Sequence, residues 1–213
     1  VEGGADRVQA LADALAAQVR ERYGDDLAAS PDYTRIINAR QYQRLVAHVD
    51  DARVRGLDVR ALATVPADAA QQRLIATTLI LQPGDDATVM GEEIFGPLLP
   101  IIAVESVSAA IACINRKDRP LALYPFSHDR KRVDALLHGT VAGGITVNDT
   151  LLHFAAEGLP FGGVGASGMG AYHGRAGFDA MSKALPILWQ SRLAGSDLLK
   201  PPYSRIRAVL DRL

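Results

Sequence analysis

The segment IATTLILQPG, residues 75–84, decides the fold class. Its first seven residues are β-branched or aliphatic and Pro83-Gly84 ends them as a turn, so they are predicted to form a short strand. Other short apolar runs follow, and between the later ones apolar residues recur at helical spacing. Strands that alternate with helices indicate right-handed βαβ connections and a largely parallel sheet flanked by helices on both faces, which is an α/β fold. The predicted strands are Ile75–Leu81, Leu99–Val104, Leu121–Phe126 and Gly144–Val147, and the predicted helices are Ala5–Tyr23, Ala39–Arg55, Val107–Asn115 and Arg130–Leu137.

The composition is that of an ordinary globular chain. Of its 213 residues, 48% are hydrophobic and 22% are charged, which is a typical balance for a folded domain. The 23 basic and 24 acidic residues leave a net charge of −1. Lysine and arginine do not gather into a stripe, so neither nucleic acid nor a membrane surface is expected as a partner. No apolar run reaches the roughly 18 residues that span a bilayer.

The cysteine content and the first residues are relevant to the cellular location of the protein and to whether the sequence is truncated. One cysteine excludes an internal disulfide framework, and no charged leader precedes an apolar signal core. These features predict a cytoplasmic location. The chain begins with Val1 rather than methionine, which is typical of a truncated polypeptide, a processed product or an incomplete reading frame, and the sequence does not choose among the three.

The hexapeptide EEIFGP, residues 92–97, places two acids beside an aromatic residue at a predicted strand–loop transition. Ligand-binding side chains of α/β proteins project at such places. Taken alone, the hexapeptide also fits a solvated acidic turn followed by a buried phenylalanine.

The glycine-rich run LPFGGVGASGMGAYHG, residues 159–174, contains a G-x-G-x-x-G at Gly163, Gly165 and Gly168. A dinucleotide fingerprint of this kind follows a strand, opens a helix and is answered by an acid about 20 residues later. This run follows Leu-Pro-Phe, and the residues around Leu188 hold no acid. The run is therefore predicted to be a sharply bent loop beside a cavity, because glycine reaches positive φ without strain.

The two motifs together resemble the NAD(P)-dependent aldehyde dehydrogenases. The phrase NDTLLH, residues 148–153, followed by PFGGVGxSGMGxYHG, is similar to the class 3 branch, which includes coniferyl-aldehyde and fatty-aldehyde dehydrogenases. The resemblance runs from about Pro31 to Lys183. It implies the C-terminal part of an enzyme that oxidises an aromatic or a medium- to long-chain aldehyde to its acid with NAD or NADP. The implied fold is the family's catalytic domain without its N-terminal Rossmann domain. The intact glycine-rich run disfavours a relation to glutamyl-phosphate or semialdehyde reductases, which share the architecture.

The resemblance also assigns roles to single residues. Glu93 matches the glutamate that hydrogen-bonds the ribose hydroxyls beside the nicotinamide, and Phe95 matches an aromatic residue that packs near the nicotinamide. A carboxylate accepts two hydroxyl hydrogen bonds and a flat apolar ring can support the nicotinamide, so both residue types suit these roles. Glu92 is predicted to face solvent. The predicted substrate funnel consists of Leu151, Phe154, Ala155, Phe161 and His173, most of which are apolar.

Three polar residues near the funnel have other readings. His173 is alternatively a histidine that is hydrogen-bonded at a helix start. Asn148 and His153 are expected to hold their loop by hydrogen bonds rather than to touch substrate.

Cys113 is predicted to be a packing residue. It lies in an apolar helical pattern, AAIACI, residues 109–114, and not at a helix N-terminus, so nothing there favours a reactive thiolate. In the family, the cysteine thiolate that attacks the aldehyde carbon is expected upstream of Val1. No catalytic residue and no metal site is therefore predicted within these residues, and the chain alone is predicted to be inactive.

The end of the chain is predicted to serve oligomerisation. Residues 1–182 are assigned to a partial catalytic domain and residues 183–213 to a C-terminal strand and tail, with Leu185–Trp189 as the strand. The resemblance implies a homodimer that forms through this strand, besides a small-molecule aldehyde as the other partner. An alternative function is a non-catalytic interaction module derived from the same fold.

Overall fold

The computed structural model describes residues 1–192, 195–196, 200–201, 203 and 207. The four predicted helices are present with bounds that differ by at most two residues, three short helices were not predicted, and the strands are shorter than predicted. The helices are α1 (Ala5–Tyr23), α2 (Ala39–Val54), α3 (Ala69–Gln72), α4 (Val107–Asn115), α5 (Arg130–Gly139), α6 (Leu152–Ala155) and α7 (Gly174–Met181). The strands are β1 (Asp58–Ala61), β2 (Thr78–Leu81), β3 (Leu98–Ile101), β4 (Ala122–Leu123) and β5 (Gly144–Ile145).

The strands form two small sheets in the described part of the chain. The first has the order β1-β2-β3, in which β2 runs parallel to β3 and antiparallel to β1. The second pairs β4 with β5 in parallel. The prediction of an α/β fold is therefore confirmed, but the single, largely parallel sheet is corrected to a mixed three-stranded sheet and a separate parallel pair.

Strand β1 is the element that makes the first sheet mixed, and it was not predicted from the sequence. Its sequence, DVRA, alternates charged and apolar residues over only four positions, too short a run to stand out from a loop. On the other side of β2, the edge strand β3 tolerates Pro100 because an edge strand does not need every amide for pairing.

Helices cover both faces of the three-stranded sheet. On one face Leu79, Leu81 and Ile101 pack against Val8 and Ala12 of α1. The opposite face of β2 and β3 packs against α2, because successive strand residues point to opposite sides. The contacts on that face pair Ile80 with Ala52, and Leu98 with Leu45 and Val49. Helix α2 begins at the cap Asn38, whose side chain accepts a hydrogen bond from the amide of Gln41 at 2.9 Å.

The predicted strand Leu185–Trp189 is not formed among the described residues. Residues 183–190 have no regular secondary structure, and Leu188 and Trp189 are 87% and 90% exposed. A strand needs a partner for its amides and carbonyls, and no strand bounds this segment in the described part of the single chain. The remainder of the predicted tail lies largely outside the described residues.

None of the helices that the structure describes has the length and apolar character needed to cross a bilayer.

Candidate functional site

The turn that carries Glu93 and Phe95 connects the 3-10 helix Thr88–Met90 to β3. Both residues line one open cavity of about 1040 Å³, whose other wall consists of residues 32–38 and the first turns of α2. The Phe95 ring is 80% exposed. The Glu93 side chain is exposed as well, and within the described residues its carboxylate has no hydrogen bond or ion pair. The structure thus presents a free carboxylate and a bare aromatic ring to the same space.

The neighbouring Glu92 is exposed, as predicted, but it also has partners on α2. Its carboxylate lies 3.0 Å from Nε2 of His48 and 3.4 Å from Nη1 of Arg44. Both partners project from α2, one turn apart. Both acids line the cavity, but Glu92 connects the turn to α2, while the Glu93 carboxylate has no partner among the described residues.

Asp51, on the same helix, makes a second connection, to Thr88 at the start of the segment that leads into the turn. The amide and the hydroxyl of Thr88 both donate to Oδ2 of Asp51, at 3.0 and 3.2 Å. The Thr88 amide, followed by the Arg55 guanidinium, holds the pKa of Asp51 below its ordinary value. Arg55 in turn has a raised pKa because it donates to Asp51 and to Asp86. Asp51 is thus an ionised anchor for the segment that leads into the Glu93 turn.

The predicted funnel residues form an aromatic cluster on the glycine-rich side of the molecule. The Phe154 ring lies 5.0 Å from Phe161 and 5.8 Å from His173, measured between ring centroids. Tyr172 joins the cluster edge-on, at 5.7 Å from Phe161. Main-chain hydrogen bonds of 2.9 Å in both directions connect Phe161 and Tyr172. The structure therefore brings Phe154, Phe161 and His173 together.

Leu151 and Ala155 lie at the two ends of α6, next to this cluster. Leu151 precedes the helix with a positive φ of 62°, and Ala155 is its last residue. Both are exposed. None of the five funnel residues lines the cavity of Glu93 and Phe95, whose lining extends only from Tyr23 to Pro97. The described structure therefore contains two separate groups of predicted site residues.

Asn148 and His153 make the loop hydrogen bonds that were predicted for them. The Asn148 side chain accepts from the amide of Ser127 at 2.7 Å and donates to its carbonyl at 3.1 Å. His153 is buried, and Thr146 Oγ1 lies 2.9 Å from its Nδ1 and accepts from its amide at 3.2 Å. His173 precedes α7, but its buried Nδ1 has no hydrogen-bond partner among the described residues. The alternative reading of His173 as a hydrogen-bonded histidine is not borne out at that atom.

The glycine-rich run is a tight bend and does not open a helix. Gly165 and Gly168 have φ values of 65° and 151° and face each other across the bend. The hydroxyl of Ser167 closes it, since it accepts from the Val164 amide at 2.9 Å and donates to the Val164 carbonyl at 3.1 Å. Helix α7 starts only at Gly174. The geometry confirms that this run is not a dinucleotide fingerprint.

Cys113 lies in the middle of α4 and is half-buried, as the packing interpretation requires. The described residues include no group of three or more His, Cys, Asp or Glu side chains placed to hold a metal ion.

Known proteins resemble the chain along most of its length. The sequence profile described as the aldehyde dehydrogenase family matches residues 4–185. A probable coniferyl aldehyde dehydrogenase from Pseudomonas aeruginosa is 48% identical over 179 residues, which cover 84% of this chain and 37% of that protein. Aldehyde dehydrogenase family 3 member A2 from Rattus norvegicus is 43% identical over 185 residues, covering 87% of this chain and 36% of the relative.

A solved structure supports the same relationship. The substrate-bound state of Staphylococcus aureus AldH matches with a TM-score of 0.78 and 36% identity, over 96% of this chain and 43% of that one. The chain thus spans well under half the length of the relatives that it matches. Since the family profile extends over most of its residues, the chain belongs to the aldehyde dehydrogenase family.

Proposed function

We propose that the chain is the C-terminal part of an NAD(P)-dependent aldehyde dehydrogenase that oxidises an aromatic, coniferyl-type aldehyde or a medium- to long-chain aldehyde to its carboxylic acid. The observation that carries the proposal is the exposure of the Glu93 carboxylate and the Phe95 ring on one cavity. The resemblance to a probable coniferyl aldehyde dehydrogenase favours the aromatic substrate. We place the protein in the cytoplasm, in keeping with its single cysteine.

The residues of the cavity fit the nicotinamide half of NAD or NADP. A carboxylate without a protein partner can accept hydrogen bonds from both ribose hydroxyls. The exposed Phe95 ring offers an apolar face against which a flat heterocycle can pack. The bound cofactor would supply the hydride acceptor of the oxidation. Glu93 and Phe95 themselves hold and orient it.

The aromatic cluster fits the aldehyde. Its apolar rings can take up a substrate that loses water on entry. Nδ1 of His173, which has no hydrogen-bond partner in the described part of the chain, gives the cluster a polar atom that can bond an oxygen of the substrate. The proposed substrate residues are Leu151, Phe154, Ala155, Phe161 and His173.

We expect the 213-residue chain alone to form no NADH from coniferyl, benzyl or octyl aldehyde. Its half-buried Cys113 sits in the middle of α4 and not at a helix N-terminus, where a nucleophilic thiolate would be stabilised. The measurement is absorbance at the NADH band, with Cys113→Ser as the matched variant. Turnover that disappears in Cys113→Ser would contradict the assignment of Cys113 to packing.

The positive arm of this test is a chimera. The matching segment of the Pseudomonas aeruginosa relative is replaced by this chain, and coniferyl aldehyde oxidation is followed with NAD+. We expect turnover, and we expect Glu93→Gln to raise the KM for NAD+ about tenfold, since a charge-assisted hydrogen bond is worth about 1.5–3 kcal/mol. A well-folded chimera without turnover would refute the proposed function.

A second proposal concerns the assembly. Within residues 183–213, the segment 185–189 exposes a run of large apolar side chains, including Leu188 and Trp189. Unpaired, extended apolar segments recruit a partner strand. We propose that this segment pairs with its counterpart in a homodimer, which is also how a purely non-catalytic interaction module would use it.

Light scattering after size-exclusion chromatography tests the assembly. We expect a dimer for the wild-type chain and a monomer for Leu188→Asp, because a carboxylate cannot be buried unpaired in an apolar contact. The control is Met169→Asp, at a side chain that is equally exposed but lies in the glycine bend. A wild-type monomer, or a dimer that persists in Leu188→Asp, would exclude this contact.

A further inference from the structure

The main chain of the Glu93 turn is held by one side chain of helix α2. Arg44 donates to the carbonyl of Ile94 at 2.5 Å and to the carbonyl of Glu93 at 3.2 Å. Its Nε donates to the side chain of Gln41 at 2.7 Å, which fixes the plane of the guanidinium. Hydrogen bonds from a charged donor are stronger than those between neutral groups. Arg44 therefore fastens the two peptide units that immediately precede Phe95.

The turn needs such a fastening because of its backbone. Phe95 has a φ of 44°, in the left-handed region that residues other than glycine seldom adopt. An exposed ring contributes little packing to hold that conformation, and the residue after it, Gly96, has no side chain to contribute any. A conformation of this kind persists where surrounding contacts enforce it. Arg44 supplies the side-chain hydrogen bonds to this stretch of main chain, and the Ile94 side chain packs against the core.

His48 and Glu92 complete the arrangement behind Arg44. The Thr88 hydroxyl donates to Asp51, so it accepts from Nδ1 of His48 at 2.9 Å, and the proton of the neutral imidazole belongs on Nδ1. Nε2 then faces Nη1 of Arg44 at 3.3 Å and the Glu92 carboxylate at 3.0 Å. The neutral ring accepts from Arg44, and the protonated ring donates to Glu92. In either state the buried ring connects the helix to the turn.

We propose that Arg44 is a positioning residue, supported by His48 and Glu92, that fixes the main chain so that the Glu93 carboxylate and the Phe95 ring face the cavity. The proposal rests on the proposed function only in naming the ligand of that cavity as a nicotinamide nucleotide. Arginine suits this task because its planar fork reaches two carbonyls and a carboxylate at once, whereas a lysine ammonium presents a single point of contact.

The first test measures backbone order by 15N relaxation in the 213-residue chain. In the wild type, the amides of Glu93, Ile94 and Phe95 are expected to have order parameters of about 0.85, as rigid backbone does. In Arg44→Met they are expected to fall below about 0.6, the flexible range, with an intermediate value in Arg44→Lys. Wild-type order parameters in Arg44→Met would overturn the proposal.

The matched control is Arg53→Lys, which changes an exposed arginine on the same helix whose side chain pairs, among the described residues, with Asp50 alone. It is expected to leave the turn unchanged. Amides of the central strand β2, in the same spectra, report whether each variant keeps its fold. If Arg44→Met does not fold, Arg44→Lys is the deciding variant. Wild-type order parameters at Glu93, Ile94 and Phe95 in Arg44→Lys would refute a role for the guanidinium.

The second test measures binding of NAD+ by saturation-transfer difference NMR on the nicotinamide protons. We expect transfer to the wild type and to Arg53→Lys, and about tenfold weaker binding to Arg44→Met. Equal affinity of Arg44→Met and the wild type would overturn the positioning role. Absence of transfer to the wild type would instead count against the proposed cofactor site, and the order parameters would still judge the role of Arg44.

Discussion

Replacing Leu45 by alanine is expected to lower the free energy of unfolding by about 3 kcal/mol. Leu45 is fully buried on α2 and packs with Val49 and with Leu98 of β3. Its removal leaves a cavity between helix and sheet that the two regular elements cannot easily close. Truncation of a buried leucine costs the lost transfer energy and the energy of the remaining cavity.

Urea denaturation followed by circular dichroism measures this change as a lower midpoint at an unchanged slope. The matched control is Val54→Ala, which removes methyl groups from the same helix at a side chain that is 89% exposed. Its effect is expected to stay within about 0.5 kcal/mol, as for surface substitutions generally. Similar midpoints for the two variants would show that α2 does not pack against the sheet in this way.

The same substitution reaches the candidate cofactor site. Gly96 lies against the Leu45 side chain so closely that a Cβ at Gly96 would be 2.7 Å from Cδ2 of Leu45. The Leu45 side chain therefore packs against the Glu93 turn, and Arg44, its neighbour in sequence, donates a hydrogen bond to the main chain of the turn. One helix therefore supplies both the apolar support and the polar fastening of the turn. A substitution at Leu45 is therefore expected to change both the packing of α2 and the conformation of the candidate cofactor site.

The long helices could be predicted because the spacing of their apolar residues and the residues at their ends indicate the same bounds. α1 matches its predicted bounds in full, and α2 differs by one residue. Strand β1 escaped prediction because four residues give too short a pattern. Helix α7 escaped it because the sequence GRAGFDAM carries two glycines, which weaken helix propensity, and tertiary contacts determine its form.

The sequence indicated which residues belong to the candidate site, but not which residues hold them in place. The resemblance supplied Glu93 and Phe95, and the structure places them on one cavity. The Arg44–Glu93 and His48–Thr88 contacts behind them join residues 49 and 40 positions apart, which no local pattern reveals. One signal was present: Arg44 and His48 are four residues apart and share a helical face with the apolar positions of α2. Polar residues beside a buried stripe need partners, and Glu92 is that partner.

Replacing Gly163 by alanine is expected to open the glycine-rich bend. A Cβ at this position would overlap the carbonyl oxygen of Ser167 and lie 2.6 Å from the amide nitrogen of Gly168, and these backbone atoms cannot yield as a flexible side chain would.

We expect a local cost of about 3 kcal/mol or more, at the upper end of overpacking effects. Hydrogen exchange of the Phe161 and Tyr172 amides measures this cost, since these amides bond each other's carbonyls across the base of the bend. Opening by this amount accelerates their exchange about a hundredfold or more.

The matched control is Gly158→Ala, a glycine just before the bend with open space where its Cβ would lie and no positive φ. It is expected to be neutral or slightly stabilising, because alanine restricts the unfolded chain more than glycine does. Equal exchange in the two variants would mean that the bend tolerates a side chain at Gly163. The aromatic cluster depends on the bend, because Phe161 and Tyr172 flank it. Loss of the bend should therefore also separate Phe161 from His173, whose rings lie 6.1 Å apart, and so disrupt the proposed aldehyde site without changing any of the proposed substrate residues.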